Sequence, residues 1–458
     1  MVRQFLALAL STGLVTALTF AADSKSDDLV QMIVSLIGNP DQEFQAAALE
    51  KVRTSAKGAS ATQAFCEQLS RLDANAQVAL LDALADRRDK SARSAILDLL
   101  STSKDEKVRA AGINALGTLG SAEDLPLLVK SLSATGPEQA AGRRSLINLS
   151  GENVNKGLSA ELKATSAGIK STLIDVLATR RATEELPTLV AATLDENGQV
   201  RSSAMSALGQ IGRPEHLAAL LPGVLKAQKG GERDHAERNV ALVCAKIANE
   251  DERGTKLIEA LNTIPAEDRD ELLPLVGRVG GRKLINFVGD IASEKDPERR
   301  RFGIDALSKW PDASVADKLL EIANKTSDPA ERSQAFQGYV KISATRDNRS
   351  DKQRLDRMKE AMKAARTPEE QLFVINRTRT AYSVDSVRFV LPYLDQSQFA
   401  QLACETIVEI AHHREVRDPN KAEFDKVLDK VIETTKDPVV IDRAQRYKRG
   451  ETWERPKK

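Results

Sequence analysis

Apolar residues recur along this chain at helical spacing, in blocks that repeat. Val108, Ala111, Ala115 and Leu116 fall on one face of a helix. The block from Val108 to Gly120 realigns with the block from Val200 to Gly212, 92 residues further on. Val, Arg, Ala, Leu and two Gly coincide, so the shift equals three periods of about 31 residues. A long polar residue stands seven positions before an apolar or aromatic anchor at Gln45/Val52, Gln77/Leu84, Arg109/Leu116, Arg201/Leu208, Arg300/Leu307 and Arg332/Tyr339. Further anchors fall at Leu149, Leu177, Ile247, Val279 and Val408, and one near Thr378. Intervals run from 28 to 33 residues, with two of 39. The long ones hold Lys229–Asp234 and Arg346–Asp351, read as loop insertions, and the polar stretch Gly151–Lys156 also interrupts the register.

Each period predicts two helices. Leu125-Pro126 and Leu186-Pro187 mark starts of the first, since proline is tolerated in a first turn; Leu273-Pro274 and Leu391-Pro392 are similar. Asp296-Pro297 and Asp328-Pro329 place Asp at the N-cap and Pro at the first position of the second helix. Gly120 and Gly212 end it. No alternating β-branched run bounded by hairpin turns occurs, so the chain is expected to be all-α.

These blocks resemble the HEAT-repeat family, in its short bacterial form related to phycobilin-lyase-type repeats. The resemblance is strongest over residues 105–120 and 197–212 and covers residues 22–450. It implies a right-handed α-solenoid of about twelve stacked helix pairs. The family carries an Asp four residues before an Arg at the start of the second helix. Here those positions are Asp105/Arg109, Asp234/Arg238, Asp296/Arg300 and Asp328/Arg332. Asp41 and Asp73 are followed instead by Gln45 and Gln77, and Asn197 stands before Arg201. The resemblance implies a stacked Asp/Arg ladder along the array, a structural device and not a catalytic one. A solenoid grows in one dimension and exposes a long surface.

Composition sharpens this picture. Hydrophobic residues make up 41% of the chain but aromatics only 4%, so Leu, Ala, Val and Ile must build the core. Basic and acidic residues number 67 and 66, which argues against a uniformly basic nucleic-acid binder. The amino-terminal Met1-Val2-Arg3 precedes an uncharged run over residues 5–20. With Thr19-Phe20-Ala21, this reads as a signal peptide over residues 1–21 cleaved after Ala21. Its sixteen residues fall short of the ~20 that span a bilayer. An exported protein, periplasmic or secreted, is expected, with no membrane span after cleavage. Cys66, Cys244 and Cys404 lie in apolar helical patterns and are expected to be small buried hydrophobes without an internal disulfide.

Catalytic signatures are missing: there is no G-x-S-x-G, Walker loop, H-E-x-x-H or C-x-x-C. Ser101–Lys104 fits S-x-x-K without its partner motifs and reads as a helix end. His412-His413 with Glu409 suggests a metal, but adjacent helical residues diverge by about 100°, so a solvated helix end is expected; His216 and His235 stand apart. No metal and no cofactor is therefore assigned. Lys341 to Arg366 holds nine basic and four acidic residues, and residues 451–458 form a basic tail. Both read as solvated faces, or, for Lys341–Arg366, as contact with an acidic partner. Export argues against nucleic acid. The expectation is a non-enzymatic scaffold outside the cytoplasm that binds protein partners along an extended surface. A chromophore-handling enzyme of bilin-lyase kind and a structural spacer in an envelope complex are the rivals.

Overall fold

The computed structural model describes residues 28–453, which form helices joined by short turns and loops, with no strand among the described residues. The signal segment ending at Ala21 and residues 454–458 lie outside them. The chain divides into two compact units, residues 1–212 and 213–458. Each is a stack of helix pairs, six in the first and seven in the second. The second helices of the first unit are α1 (Gln42–Thr54), α2 (Ala74–Arg87), α3 (Glu106–Leu119), α4 (Gly136–Asn148), α5 (Ala167–Thr179) and α6 (Gly198–Ile211). Those of the second unit are α7 (Gly231–Ala245), α8 (Leu273–Val279), α9 (Pro297–Leu307), α10 (Pro329–Ser343), α11 (Pro368–Thr378), α12 (Ser397–Ala411) and α13 (Pro438–Lys448). Within each unit, consecutive second helices pack on one another.

The start of most second helices is local chemistry. Asp41, Asp73, Asp105, Asn197, Asp296, Asp328 and Asp437 each accept a backbone N–H from the first turn of the helix that follows. Such caps satisfy donors with no intrahelical partner, at about 1 kcal/mol each. Pro297, Pro329 and Pro438 then occupy the first position. The anchors predicted from the repeat are all interior: Val52, Leu84, Leu116, Leu149, Leu177 and Leu208 in the first unit, and Ile247, Val279, Leu307, Tyr339, Thr378 and Val408 in the second.

Several expectations change. Residues 229–234 are not a loop insertion: α7 begins at Gly231 and takes in Glu232, Arg233 and Asp234. Gly230, at φ 104°, makes the turn that lets it start early. By contrast, residues 345–350 do form a loop, held by Arg349 against the Asp347 carboxylate and the Ile342 and Thr345 carbonyls. Pro126 and Pro187 do start first helices, but Leu273-Pro274 opens α8, a second helix. Leu391-Pro392 opens a short 3₁₀ turn, Leu391–Asp395. Pro marks a helix start in each case, yet which row the helix joins depends on stacking. The carboxyl end also differs from a free tail. Trp453 packs against the core of the last repeats, with the Arg443 guanidinium 4.9 Å from its ring.

Gly120 and Gly212 end their helices without a left-handed turn. Gly120 is extended, at φ −77°, and a Cβ on it would lie 2.5 Å from the Leu116 carbonyl oxygen. The tightest approach to neighbouring backbone is at Gly277 on α8. A Cβ there would lie 1.9 Å from the Ala306 carbonyl oxygen of α9. Backbone atoms cannot yield as a side-chain tip can. Gly277→Ala should therefore cost ~1–3 kcal/mol by pushing the two helices apart. A thermal melt reads this directly, and an unchanged midpoint would mean that α8 and α9 do not approach so closely.

Candidate interaction surface

Many second helices carry a polar residue that ties them to the helix before them. Gln45, Gln77 and Gln139 donate to the Ile37, Leu69 and Leu132 carbonyls at the end of the preceding first helix. Arg109, Arg201, Arg300 and Arg332 do the same at Leu100, Asp195, Glu294 and Ala323. These carbonyls have no intrahelical partner, so a long donor from the next helix caps them. Arginine adds a second arm. Arg109 makes a two-pronged bond to Glu138 of α4, at 2.8 and 3.0 Å. Arg300 reaches Glu331 of α10 at 3.1 Å, and Arg332 reaches Glu370 of α11 at 3.2 Å. Hydrogen bonds from Arg109 hold the Glu138 carboxyl below its ordinary range.

The stacked charges are therefore Arg to Glu of the next repeat, with Asp kept for its own helix. Asp105 and Asp296 cap; Asp328 caps and also lies 3.5 Å from Arg301. The pair Asp234/Arg238 is displaced. Because α7 starts early, Arg233 takes the bridging place, bonding the Leu225 and Ala227 carbonyls and Glu271. Arg238 is exposed. A further set escaped the sequence reading: Arg87 caps the Val52 and Ser55 carbonyls, and Arg180 those of Leu146, Ile147 and Leu149, each reaching back to the end of the preceding second helix.

A second polar feature runs along the second helices of the second unit. Glu237 of α7 is only 1% exposed and bonds Arg278 of α8 at 2.7 Å. Arg278 also holds Asp234 at 2.6 Å, and Lys309, just past α9, lies 3.3 Å from Glu237, 3.5 Å from Asp234 and 3.1 Å from Asp305. Burial alone would raise the Asp234 carboxyl, but Arg278 and Lys309 outweigh it and hold the group below its ordinary range. A cavity of about 190 Å³ opens here, bordered by Lys229, Arg233, Phe302 and Asp305.

The row then becomes cationic. Lys341 of α10 is exposed and Arg377 of α11 half-buried. Among the described residues, neither has a carboxylate within 4.0 Å. Arg377 rests over the Phe373 ring at 5.2 Å, and its buried Nε finds no acceptor. Further along, Glu409 of α12 is taken by Arg443 of α13 at 2.8 Å. His412 meets the Tyr447 hydroxyl at 2.9 Å, while His413 stacks on Tyr382 at 3.6 Å, with Arg346 on the other side of that ring at 4.0 Å. His412 and His413 are thus half-buried aromatic partners, not a solvated helix end. Their rings stand 83° apart, and among the described residues no group of three His, Cys, Asp or Glu could hold a metal.

The basic run from Lys341 to Arg366 does not form one face. Arg349 is spent on Asp347, Arg354 on Asp351, and Arg357 on Asp317 and Glu360. Lys352 and Lys363 lie on the first helix Asp351–Ala364, in the other row from Lys341. Ser101 donates to the Asp98 carbonyl at a helix end. His216 closes a short 3₁₀ turn, and His235 contacts Asn239 of its own helix at 3.2 Å.

All three cysteines are buried and unbridged. Burial pushes the thiols up to about 11 for Cys66, 12 for Cys244 and 11 for Cys404. Raised values keep them protonated at mildly alkaline pH, and the thiolate is the nucleophile. The native protein should not react with a thiol reagent at pH 8, and denaturant should release three thiols per chain. Rapid native labelling would contradict this packing.

Residues 62–147 and 155–241 match the family model for HEAT repeats. Those two stretches are HEAT repeats by that match, and the described residues have an all-α, solenoid-type fold. No curated protein matches it. Among solved structures it is similar to the karyopherin Kap121p bound to the extreme C-terminus of the protein phosphatase Cdc14p, at 11% identity and a TM-score of 0.47, covering 92% of this chain and 53% of that one. The chain thus spans about half the length of Kap121p. It is also similar to human deoxyhypusine hydroxylase in complex with glycerol, at 21% identity and a TM-score of 0.23, covering 48% and 98%. Among the described residues no helix is long and apolar enough to cross a membrane.

Proposed function

We propose that this protein is a non-catalytic scaffold that binds protein partners outside the cytoplasm. The row of second helices in the second unit carries the reading. It presents polar side chains from helix after helix, from Glu237 to Arg443, with Lys341 and Arg377 among the cations that form no ion pair within the described residues. Repeat stacks offer such rows as binding surfaces, since each repeat contributes a few side chains at a regular step. The nearby charges are bound to one another at the helix ends, which suits a rigid platform better than acid–base chemistry. The placement outside the cytoplasm rests on Met1–Ala21 as an export signal. Two measurements test the reading. Protein recovered from the cell envelope should begin near Ala22; a start at Met1 would remove the export. Cross-linking in envelope extract followed by peptide mapping should place partner proteins on α7–α13. Partners confined to the two ends of the chain would instead make it a spacer.

A further inference from the structure

We infer that Lys341 of α10 and Arg377 of α11 form a docking site for an acidic, extended peptide segment of a partner protein. The inference rests on the scaffold reading and adds the chemistry of the partner. Cations on the neighbouring helices of the row are spent: Arg278 and Lys309 on Asp234, Glu237 and Asp305, and Arg443 on Glu409. Lys341 and Arg377 form no ion pair among the described residues, although they sit on adjacent helices and repel each other. Arg379, at the end of α11, adds a third positive charge, close enough to act on Glu409 but without an ion pair to it.

The crowding has a measurable consequence. Although Lys341 reaches solvent, partial desolvation of its ammonium comes first and the charges of Arg278 and Lys309 next in pulling it below its ordinary pKa, with Arg377 adding to the effect and Asp305 opposing it. A carboxylate placed between Lys341 and Arg377 would reverse that pull, so binding energy is available there. Phe373 holds the Arg377 guanidinium from below, which limits the entropy lost when an anion arrives.

Spacing selects the form of the ligand. Packed helices lie ~8–10 Å apart, so cations on successive second helices repeat at that step. An extended chain in polyproline II form advances ~3.1 Å per residue with about three residues per turn, so acidic residues three apart lie on one side and match the step. A helical segment would place carboxylates three residues apart only ~4.5 Å along its axis and would miss the step.

The test uses the whole chain and a fluorescent synthetic peptide of about 18 residues with Asp at every third position, Pro and Ser between, read by anisotropy. Saturable binding that weakens as salt rises is expected. Lys341→Ala and Arg377→Ala should each weaken it about tenfold, whereas Lys363→Ala, an exposed lysine on the other row, should leave it unchanged. Thermal melts confirm that the variants remain folded, and Lys341→Gln provides a milder second variant at an exposed site. No binding, or equal loss in Lys363→Ala, would overturn the inference. So would tighter binding to phosphatidylglycerol vesicles, which would assign the patch to a lipid surface. If partners cross-link to other repeats while the peptide fails to bind, the scaffold stands and this inference falls. If the peptide binds as expected but no partner cross-links, the scaffold reading alone is removed.

Discussion

Leu116→Asp should abolish the cooperative unfolding transition of the first unit. Leu116 is fully buried on α3, among the anchors that define the repeat. The substitution removes about 2–5 kcal/mol of packing and places a carboxylate where no donor awaits it, a further cost of several kcal/mol. The total rivals the ~5–15 kcal/mol that holds a typical domain together. Repeats support only their neighbours, so loss of one interior layer propagates through both interfaces. Circular dichroism should show lost helicity at ambient temperature, with the same result for Leu208→Asp. Lys107→Asp, exposed in the first turn of the same helix, is the control and should melt as the parent does. A parent-like melt for Leu116→Asp would mean that the repeat frame is shifted by at least one position.

Arg332→Ala should be the most damaging change among the bridging arginines. The Arg332 and Glu370 side chains are 10% and 8% exposed. Arg332 bonds the Ala323 carbonyl, the Ala364 carbonyl and the Glu370 carboxylate, so one guanidinium closes two helix ends and one charge. Removing it strands the buried carboxylate, for ~3–5 kcal/mol. Arg332→Lys should rescue little, since a single ammonium cannot reach three acceptors spread over a guanidinium fork. Glu370 also accepts from the Arg366 backbone N–H at 2.6 Å. The double variant Arg332→Met with Glu370→Gln keeps an acceptor for that N–H and removes the stranded charge, so it should recover part of the loss. Arg388→Ala, which breaks an exposed pair with Glu423, should leave the melt unchanged. Equal effects at Arg332 and Arg388 would show that burial does not set the worth of these pairs.

The two variants probe different kinds of information. Leu116 stands out in the sequence because helical periodicity and a 92-residue self-match both mark it. The role of Arg332 does not, because its partner Glu370 is 38 residues away and becomes a neighbour only when α10 and α11 stack. The same holds for the candidate site. Lys341 opened a basic run that looked like one patch. Folding assigns Lys352 and Lys363 to the first row and spends Arg349, Arg354 and Arg357 on nearby acids. Arg377, outside that run, becomes the neighbour of Lys341.

What the sequence determined by itself lay mostly within one helix pair. The all-α class, the repeat period, the caps at Asp105, Asp296 and Asp328, and the interior anchors depend on side chains within a few positions of one another. Backbone donors and apolar stripes are satisfied at that range, so their signals are written locally. The tertiary structure alone decided which row a helix joins, as at Leu273, and which of Arg233 and Arg238 bridges. It also decided that Gly277 must lack a Cβ and which cations stay unpaired. Those outcomes depend on distances between helices about thirty residues apart in sequence. They are fixed by packing and charge neutralisation across the stack, where the local pattern is silent.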